Sequence, residues 1–371
     1  MDEIESIEKQ IENTEESLRL IEVRKSKFVL DTDIPLELIR NERALKAKLT
    51  GLNGHRDRLQ KGRDIPPLLP YFVNRDYQEF KLGEALKILL NNPSPKPLLC
   101  IIHGDQFQCH DTFFESLIKV SLPKIFKQNT NTTTSDYYTE SIGKYELKWP
   151  PRITILEELK NMLKYNLANQ ILDYGLASKE DINKHLASIG PVVIHTHLLT
   201  NDLQENSSGI IENFLEFWQD WPELNPNQCL IICLFIKYQV KQNQSYFQKL
   251  WNWIFKSLLK KNSGFESGNS SIQKSIEDLS SSNFTKFDRI IGVVLPKLQG
   301  IGQTEVESWA RSEAVKNYWD EENIQYLIHT IEDMFEKWEK KQASNTMPMS
   351  HLAQNLSDIL QGKITIKGDI A

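Results

Sequence analysis

The stretch KPLLCIIHGDQFQCHDTFFESL, residues 96–117, constrains the fold more than any other part of the sequence. A short apolar run, Leu98 to Ile102, leads to Gly104, and an amphipathic pattern begins a few residues later. A buried strand, a turn and a helix in this order form the frame of a phosphate-binding loop, in which backbone N–H groups at a helix N-terminus face the ligand. The stretch therefore predicts a strand–loop–helix unit of an α/β domain.

The residues that bind phosphate in such a loop are replaced here. A working loop reads G-x-x-x-x-G-K-[ST]: the glycines let the backbone wrap the phosphates, the lysine reaches the outer phosphates, and the hydroxyl binds magnesium. In GDQFQCHD, Gly104 takes the first glycine, Cys109 the second, His110 the lysine and Asp111 the hydroxyl. We interpret these four residues as a degenerate nucleotide-binding loop. On spacing alone, a plain strand–turn–helix unit with Asp111 as its N-cap explains the stretch equally well.

Each replacement weakens the site for a physical reason. A Cβ atom on Cys109 disfavours positive φ and hinders close approach of the backbone. His110 is shorter than lysine and mostly neutral at pH 7. Asp111 places a negative charge where a phosphate would lie, although it favours the helix N-terminus. We therefore expect no catalytic residue, no cofactor and no metal at this loop.

The acidic position of an active NTPase is also replaced. Such an enzyme needs an acidic residue at the end of a buried strand, for magnesium or water. In GPVVIHTHLLTND the residue after the apolar run is His195, and Asp202 lies well beyond it. We interpret His195 as the eroded acidic-motif position. Replacement at two separate sites favours a protein that is not an enzyme.

The chain beyond residue 70 alternates strand and helix patterns, which predicts a P-loop NTPase-like, mainly parallel sheet flanked by helices. The apolar runs expected to form strands are 97–103, 191–199, 229–237 and 289–295. Residues 128–144 and 262–286 are expected to be surface loops because they are rich in Ser, Thr, Asn and Gly. The predicted domains are a helical hairpin at 1–61, a Pro-rich linker at 62–70, the α/β domain at 71–342 and a tail at 343–371.

The first 61 residues predict an antiparallel helical hairpin that precedes the α/β domain. Apolar residues recur at spacings of three and four, stop at DTDIP and then resume, which is typical of two helices with facing seams. Each helix is short for a lone coiled coil, so we expect the hairpin to pack on itself, on a second copy or on a partner. The predicted partner-binding seam consists of Ile4, Ile7, Ile11, Leu18, Ile21, Leu38, Leu45 and Leu49.

Charge, hydropathy and cysteine content indicate the cellular environment of the protein and exclude some classes of partner. The net charge of −6 and a pI near 5.9 argue against nucleic acid as a partner. No apolar run approaches the roughly 18 residues of a membrane span, and four cysteines in 371 residues are too few for a disulfide framework. We therefore expect a cytoplasmic protein whose partners are other proteins or further copies of itself, and not membrane or nucleic acid.

Several segments together resemble a known family. YFVNRDYQEFKLGEAL, residues 71–86, is similar to the segment that precedes the phosphate loop in STAND NTPases, with Asn74 in place of a glycine and Gln78 in place of an acid. HGDQFQCHDTFFESL, PVVIHTHLLTNDL, WPELNPNQCLIICLFIKYQ and LPKLQGIGQTEVESWAR follow in the order of the inactive STAND domain of prokaryotic conflict systems. The resemblance covers roughly residues 66–340. It implies a P-loop fold with eroded catalytic motifs, and a scaffold or sensor in bacterial defence signalling with the hairpin as adaptor.

Two other functions remain open on the sequence. In a divergent nucleotide-binding switch or weak NTPase, Gly104, His110 and Asp111 would form a variant site. In a purely structural subunit, the α/β fold would be only a platform. A zinc site and a catalytic Cys109 are less favoured because the spacings do not match the usual patterns. The residues considered for zinc are Cys109, His110, His195, His197, Cys229 and Cys233.

Overall fold

The computed structural model describes residues 3–28, 34–61, 65–129, 142–150, 156–200, 209–240, 264–282 and 284–361. The chain forms two compact units. One consists of Met1–Asn74 with Gly300–Ala371, and the other of Arg75–Gln299. The predicted domain boundaries at residues 61, 70 and 342 stay predictions.

A five-stranded parallel sheet is the centre of the Arg75–Gln299 unit, which confirms the predicted α/β class. Its strand order is β2-β3-β4-β1-β5, so β1 lies between β4 and β5, and the loop that follows it emerges at the carboxyl edge between these two strands. In such sheets ligands bind at this edge. The strands are β1 (Leu98–Asp105), β2 (Gly143–Glu146), β3 (Val192–Leu199), β4 (Leu230–Tyr238) and β5 (Ile291–Val294).

Helices cover both faces of this sheet. Leu99 and Ile101 of β1 belong to one buried cluster, and Leu98, Cys100 and Ile102 belong to another, as the two-residue period of a strand requires. Burial on both faces explains the nearly continuous apolar runs in the sequence. The helices are α3 (Asp76–Leu90), α4 (His110–Ser116), α5 (Leu122–Asn129), α6 (Leu156–Leu172), α7 (Lys179–Leu186), α8 (Ile210–Gln219) and α9 (Gly264–Ser282); a π-helical segment, Leu117–Ser121, joins α4 to α5.

Two segments expected to be loops contain regular structure. The prediction of a loop at 262–286 is wrong, because α9 fills most of it and buries Ile272, Ile276 and Leu279. These apolar residues have helical spacing, which outweighs the poor helix propensity of the surrounding Ser and Gly. The prediction at 128–144 is wrong at its end, where β2 pairs with β3. The sequence pattern also predicts a helix near 245–260, and these residues lie outside the described part of the chain.

The second unit is helical. Residues 349–360, expected to be part of a weakly patterned tail, form a helix that buries Leu352, Leu356 and Ile359. Leu69 and Pro70 from the predicted linker are also buried, in a short 3₁₀ helix (Leu69–Phe72) that this C-terminal helix contacts. The elements are α1 (Glu3–Lys25), α2 (Leu36–Lys61), α10 (Gln303–Ala310), α11 (Glu313–Lys316), α12 (Glu321–Gln342), α13 (Met349–Leu360) and an antiparallel pair of two-residue strands, β6 (Ile301–Gly302) and β7 (Thr346–Met347).

The helical hairpin packs through its own seam and also against α12. Ile7 and Ile11 of α1 lie with Leu52 of α2 in one buried cluster, and Lys25 Nζ lies 2.6 Å from Glu42 Oε2. These pairs show that α1 and α2 are antiparallel.

Two glycines allow α2 to approach α12 closely. A Cβ atom on Gly54 would lie 2.0 Å from Asn323 Oδ1, and one on Gly51 would lie 2.8 Å from Tyr326 Cζ. A side chain of any size at either position would overlap α12. The glycines therefore make possible the contact between the hairpin and the C-terminal part of the chain.

We predict that Gly54→Ala lowers the free energy of unfolding by about 1–3 kcal/mol, because the added methyl group overpacks this contact. The control is Gly83→Ala in α3, where the nearest atom to the new Cβ, Ile125 Cδ1, is 3.9 Å away. That substitution should stabilise by about 0.5–1 kcal/mol through the higher helix propensity of alanine. Urea unfolding measures both changes, and a stabilised Gly54→Ala protein would contradict the packing argument.

Candidate functional site

The candidate site is the loop between β1 and α4, and Gly104 anchors its start. Gly104 pairs with Lys237 of β4 in the sheet register and also with Leu298. A Cβ atom on Gly104 would lie 2.6 Å from the Leu298 carbonyl oxygen. Glycine is therefore needed for strand packing as well as for the outline of a phosphate loop.

Cys109 has a backbone conformation that favours glycine. Its φ of 54° and ψ of 48° lie in the left-handed region. This conformation costs a residue with a Cβ atom about 1–2 kcal/mol. Burial raises the pKa of the Cys109 thiol, and the protonated thiol is not the nucleophilic form. The loop thus holds Cys109 in an energetically unfavourable backbone conformation. Its thiol lacks the activation that a catalytic cysteine needs.

His110, at the lysine position, is directed into the domain. Only 1% of its surface is exposed, and its ring makes an edge contact with Phe235, with 6.3 Å between the ring centroids. Burial lowers the pKa of His110 to about 3, so the imidazole is neutral. A buried neutral ring cannot supply the charge that a loop lysine brings to a phosphate.

Asp111, at the hydroxyl position, forms an ion pair across the carboxyl edge of the sheet. Lys237 Nζ lies 3.0 Å from each carboxylate oxygen, and His197 Nε2 lies 3.3 Å from Oδ1. Burial alone would raise the pKa of Asp111, but the hydrogen bond and charge of Lys237 hold it below its usual value. The expected N-cap role is wrong, because Cys109 occupies the cap position and Asp111 lies inside the helix.

His195, at the eroded acidic position, is a buried ring beneath α4. Its Nδ1 lies 3.4 Å from His197 Nε2, and its ring lies 4.1 Å from that of Phe114. His197 stacks on Phe235 with 4.9 Å between centroids. Burial is the main cause that lowers the pKa of both histidines to about 4. Asp202 lies outside the described residues.

Lys237 is the functional side chain that the sequence did not reveal. In the sequence it is only the residue at which an apolar run ends without an acid. Its importance comes from the register of β4 beside β1, which aligns Lys237 with Gly104. Gly104 and Lys237 are far apart in the sequence. Pairing between such distant strands leaves no local sequence pattern that could have identified Lys237.

The junction with α3 includes Asn74, Arg75 and Gln78, which belong to the segment that resembles STAND NTPases. Asn74 keeps a positive φ of 51°, which asparagine tolerates better than most residues do. Arg75 is buried, with its guanidinium 3.4 Å from the Gln108 carbonyl oxygen and 5.8 Å from the Phe113 ring centroid. Gln78 Nε2 lies 3.4 Å from the carbonyl oxygen of Pro296. Arg75 thus braces the far end of the loop, where Gln108 precedes Cys109.

Much of the predicted partner-binding seam is buried inside the hairpin. Ile7, Ile11, Leu18 and Ile21 are each at most 8% exposed. The α2 members of the seam are half-buried, namely Leu38, Leu45 and Leu49. The side chain of Ile4 lies outside the described part. Partner binding through the seam stays a prediction, and apolar surface on the hairpin is instead offered by Leu20, Val23 and Leu36.

The residues considered for zinc do not form a metal site. Over the described ranges, no group of three or more His, Cys, Asp or Glu residues is placed to hold a metal ion. All four cysteines are free thiols, and Cys100, Cys229 and Cys233 are buried in the sheet. Within the same ranges, no helix has the length and apolar character needed to cross a membrane.

These features define a P-loop-like α/β domain that keeps the outline of a phosphate loop. The ion pair between Lys237 and Asp111, whose side chain is 72% exposed, lies where the phosphate-binding residues would be. Residues 70–236 match the model of a family described as inactive STAND, or iSTAND. This match covers less than half of the 371 residues and supports the resemblance to an inactive STAND domain. No curated protein matches the chain. The word "inactive" agrees with the replaced loop residues.

We predict that acid destabilises the fold between about pH 6.5 and pH 4. Burial lowers the pKa values of His103, His195 and His197 to about 4 and that of His110 to about 3. The unfolded chain, with pKa values near 6.5, binds more protons in this window, so stability falls as the pH falls. Each such histidine adds up to about 1.4 kcal/mol per pH unit.

Urea unfolding at several pH values tests this dependence. His110→Phe removes one titrating group and should make the dependence less steep. His185→Gln, at an exposed position in α7, is the matched control and should leave it unchanged. Stability that stays level from pH 7 to pH 4.5 would show that these rings are not held neutral by burial.

Proposed function

We propose that this protein is a non-catalytic scaffold of a bacterial defence signalling pathway, working in the cytoplasm. Its inactive STAND domain docks or senses a protein partner, and its helical hairpin recruits a second component. The observation that carries the proposal is the ion pair between Asp111 and Lys237, at the position where a nucleotide phosphate and its magnesium ion would bind.

This ion pair opposes nucleotide binding in two ways. Both oxygens of Asp111 are engaged by the ammonium group of Lys237, so a phosphate would have to displace the carboxylate. The carboxylate, which is 72% exposed, would also repel the phosphate, by about 1 kcal/mol per unit charge at 4 Å in water. Since His110 is buried and neutral, it offers no compensating charge.

The outer surface of the hairpin supports the adaptor role. Leu20 and Val23 of α1 are each 58% exposed, and Leu36 of α2 is 72% exposed. The buried seam already holds the two helices together, so these side chains do not stabilise the hairpin. Helix-to-helix docking commonly uses apolar side chains of this kind.

A nucleotide-binding switch is the alternative, and the backbone of Cys109 favours it. The left-handed conformation is retained although its Cβ atom makes it unfavourable. In this function Gly104, His110 and Asp111 would contact the nucleotide after the Asp111–Lys237 ion pair had opened.

Calorimetric titration with ATP and GTP, each with Mg²⁺, decides between the two functions. We expect no binding heat at millimolar nucleotide and no hydrolysis. The informative variant is Asp111→Ala, and the matched control is Asp278→Ala, an exposed aspartate on α9. Micromolar binding by the wild type that changes in Asp111→Ala but not in Asp278→Ala would favour the switch.

The adaptor role predicts that Leu20→Glu with Val23→Glu removes a bound component without unfolding the chain. Both side chains are exposed, so the loss should come from the docking surface. Leu176→Glu, at a 74% exposed position in the other unit, is the control. Co-purification from the native host and survival of that host under phage challenge are the measurements. Equal behaviour of the two variant proteins would contradict a role of the hairpin in recruitment.

A further inference from the structure

Helix α4 has an unusual backbone at both of its ends. Cys109, directly before it, is in the left-handed conformation, and a π-helical segment, Leu117–Ser121, directly follows it. A π-helical turn replaces the regular hydrogen bonds of an α-helix and often marks a functional site. The seven residues of α4 are thus a short helical segment between two irregular joints.

Side chains from two strands hold this segment in place. Asp111 of α4 is bound by Lys237 of β4 and lies next to His197 of β3. One turn further along, Phe114 packs on His195 of β3, with 4.1 Å between the rings. The contacts of α4 with the carboxyl ends of β3 and β4 therefore combine one ion pair with aromatic rings that include histidines.

The histidines at this contact lie close to one another, which disfavours protonation of more than one of them. His195 and His197 are 3.4 Å apart at their nearest ring nitrogens, and His110 faces Phe235, on which His197 stacks. Protonating two neighbouring imidazoles would place like charges within a few ångströms of each other, beside the ammonium group of Lys237.

The other charged groups around the contact do not cancel this repulsion. Arg75, before α3, and Lys144 of β2 add positive charge near His110 and His195 respectively. Glu146 of β2 and Asp111 attract a proton to His195, but their effect is smaller than that of burial. Glu115 of α4 is engaged by Lys119 and Lys144.

We propose that α4 is a proton-sensitive latch: it detaches from the sheet and unwinds as far as the π-helical joint at Leu117–Ser121 when the histidines that seat it become charged, which exposes the loop and the edge of the sheet. At neutral pH the seat is uncharged and Asp111 closes the latch on Lys237. Because the carboxylate of Asp111 stays ionised while the histidines titrate, the opening force comes from the imidazoles.

The size of the effect follows from linkage. An imidazole that is neutral in the closed state and titrates normally in the open state favours opening by about tenfold per pH unit below its ordinary pKa. His110, His195 and His197 together should therefore raise the opening constant of α4 by about 100-fold or more between pH 6.5 and pH 5. The opening should take up two to three protons, as read from the slope against pH.

Hydrogen exchange of the full chain, corrected for the pH dependence of intrinsic exchange, tests the latch. The readout is the opening constant of amides in residues 110–121, with residues 210–219 of α8 as the internal reference. We expect residues 110–121 to open more readily than the reference, with the predicted slope. Equal opening of both segments at every pH, or a slope near zero in residues 110–121, would overturn the proposal.

Variants separate the histidines from a general effect of acid. His195→Gln with His197→Gln should reduce the slope to about one proton, while His185→Gln should leave it unchanged. Asp111→Asn removes the charge from the ion pair and should raise the opening of residues 110–121 at pH 7 by about fivefold, without changing residues 210–219. Failure of Asp111→Asn to do so would refute the latch even if the double histidine variant does not fold. Since no nucleotide is present, the result is independent of the calorimetric test.

Discussion

Burial of β1 on both faces is the constraint on which the rest of the Arg75–Gln299 unit depends. Its odd and even residues enter two separate apolar clusters, so the strand must lie inside the sheet and be covered by helices on each side. Its carboxyl end then opens at the carboxyl edge of the sheet between β4 and β5, where Gly104 lies against β4 and Leu298. The position of the loop is therefore a consequence of core packing.

The charged groups at the position of the phosphate loop pair with each other within the chain. A nucleotide-binding domain leaves a cation free for the phosphates, whereas this chain supplies its own anion, Asp111, to Lys237. The histidines beneath α4 are neutral because burial disfavours their charged form. The same residues that replace the binding chemistry thus hold α4 in place, and this connects the replaced loop residues with the proposed latch.

The helical unit, Met1–Asn74 with Gly300–Ala371, is built by the packing of helices on one another. Its hairpin satisfies most of its apolar seam internally, and Gly51 and Gly54 let α2 approach α12 closely. In the sequence these glycines look like weak points of a helix, because glycine lowers helix propensity. Only the neighbouring helix, which is distant in the sequence, gives them a structural purpose.

The sequence by itself determined the α/β class, the buried strands, the hairpin and the replaced loop residues, because periodicity and loop spacing are local properties of the chain. It failed for α9 and α13, where weakly patterned stretches become helices through the burial of a few apolar residues. It could not reveal the ion pair, because Lys237 and Asp111 are 126 residues apart and meet only through the register of β4 beside β1. Tertiary structure decided that contact, since strand pairing places side chains together whatever their separation along the chain.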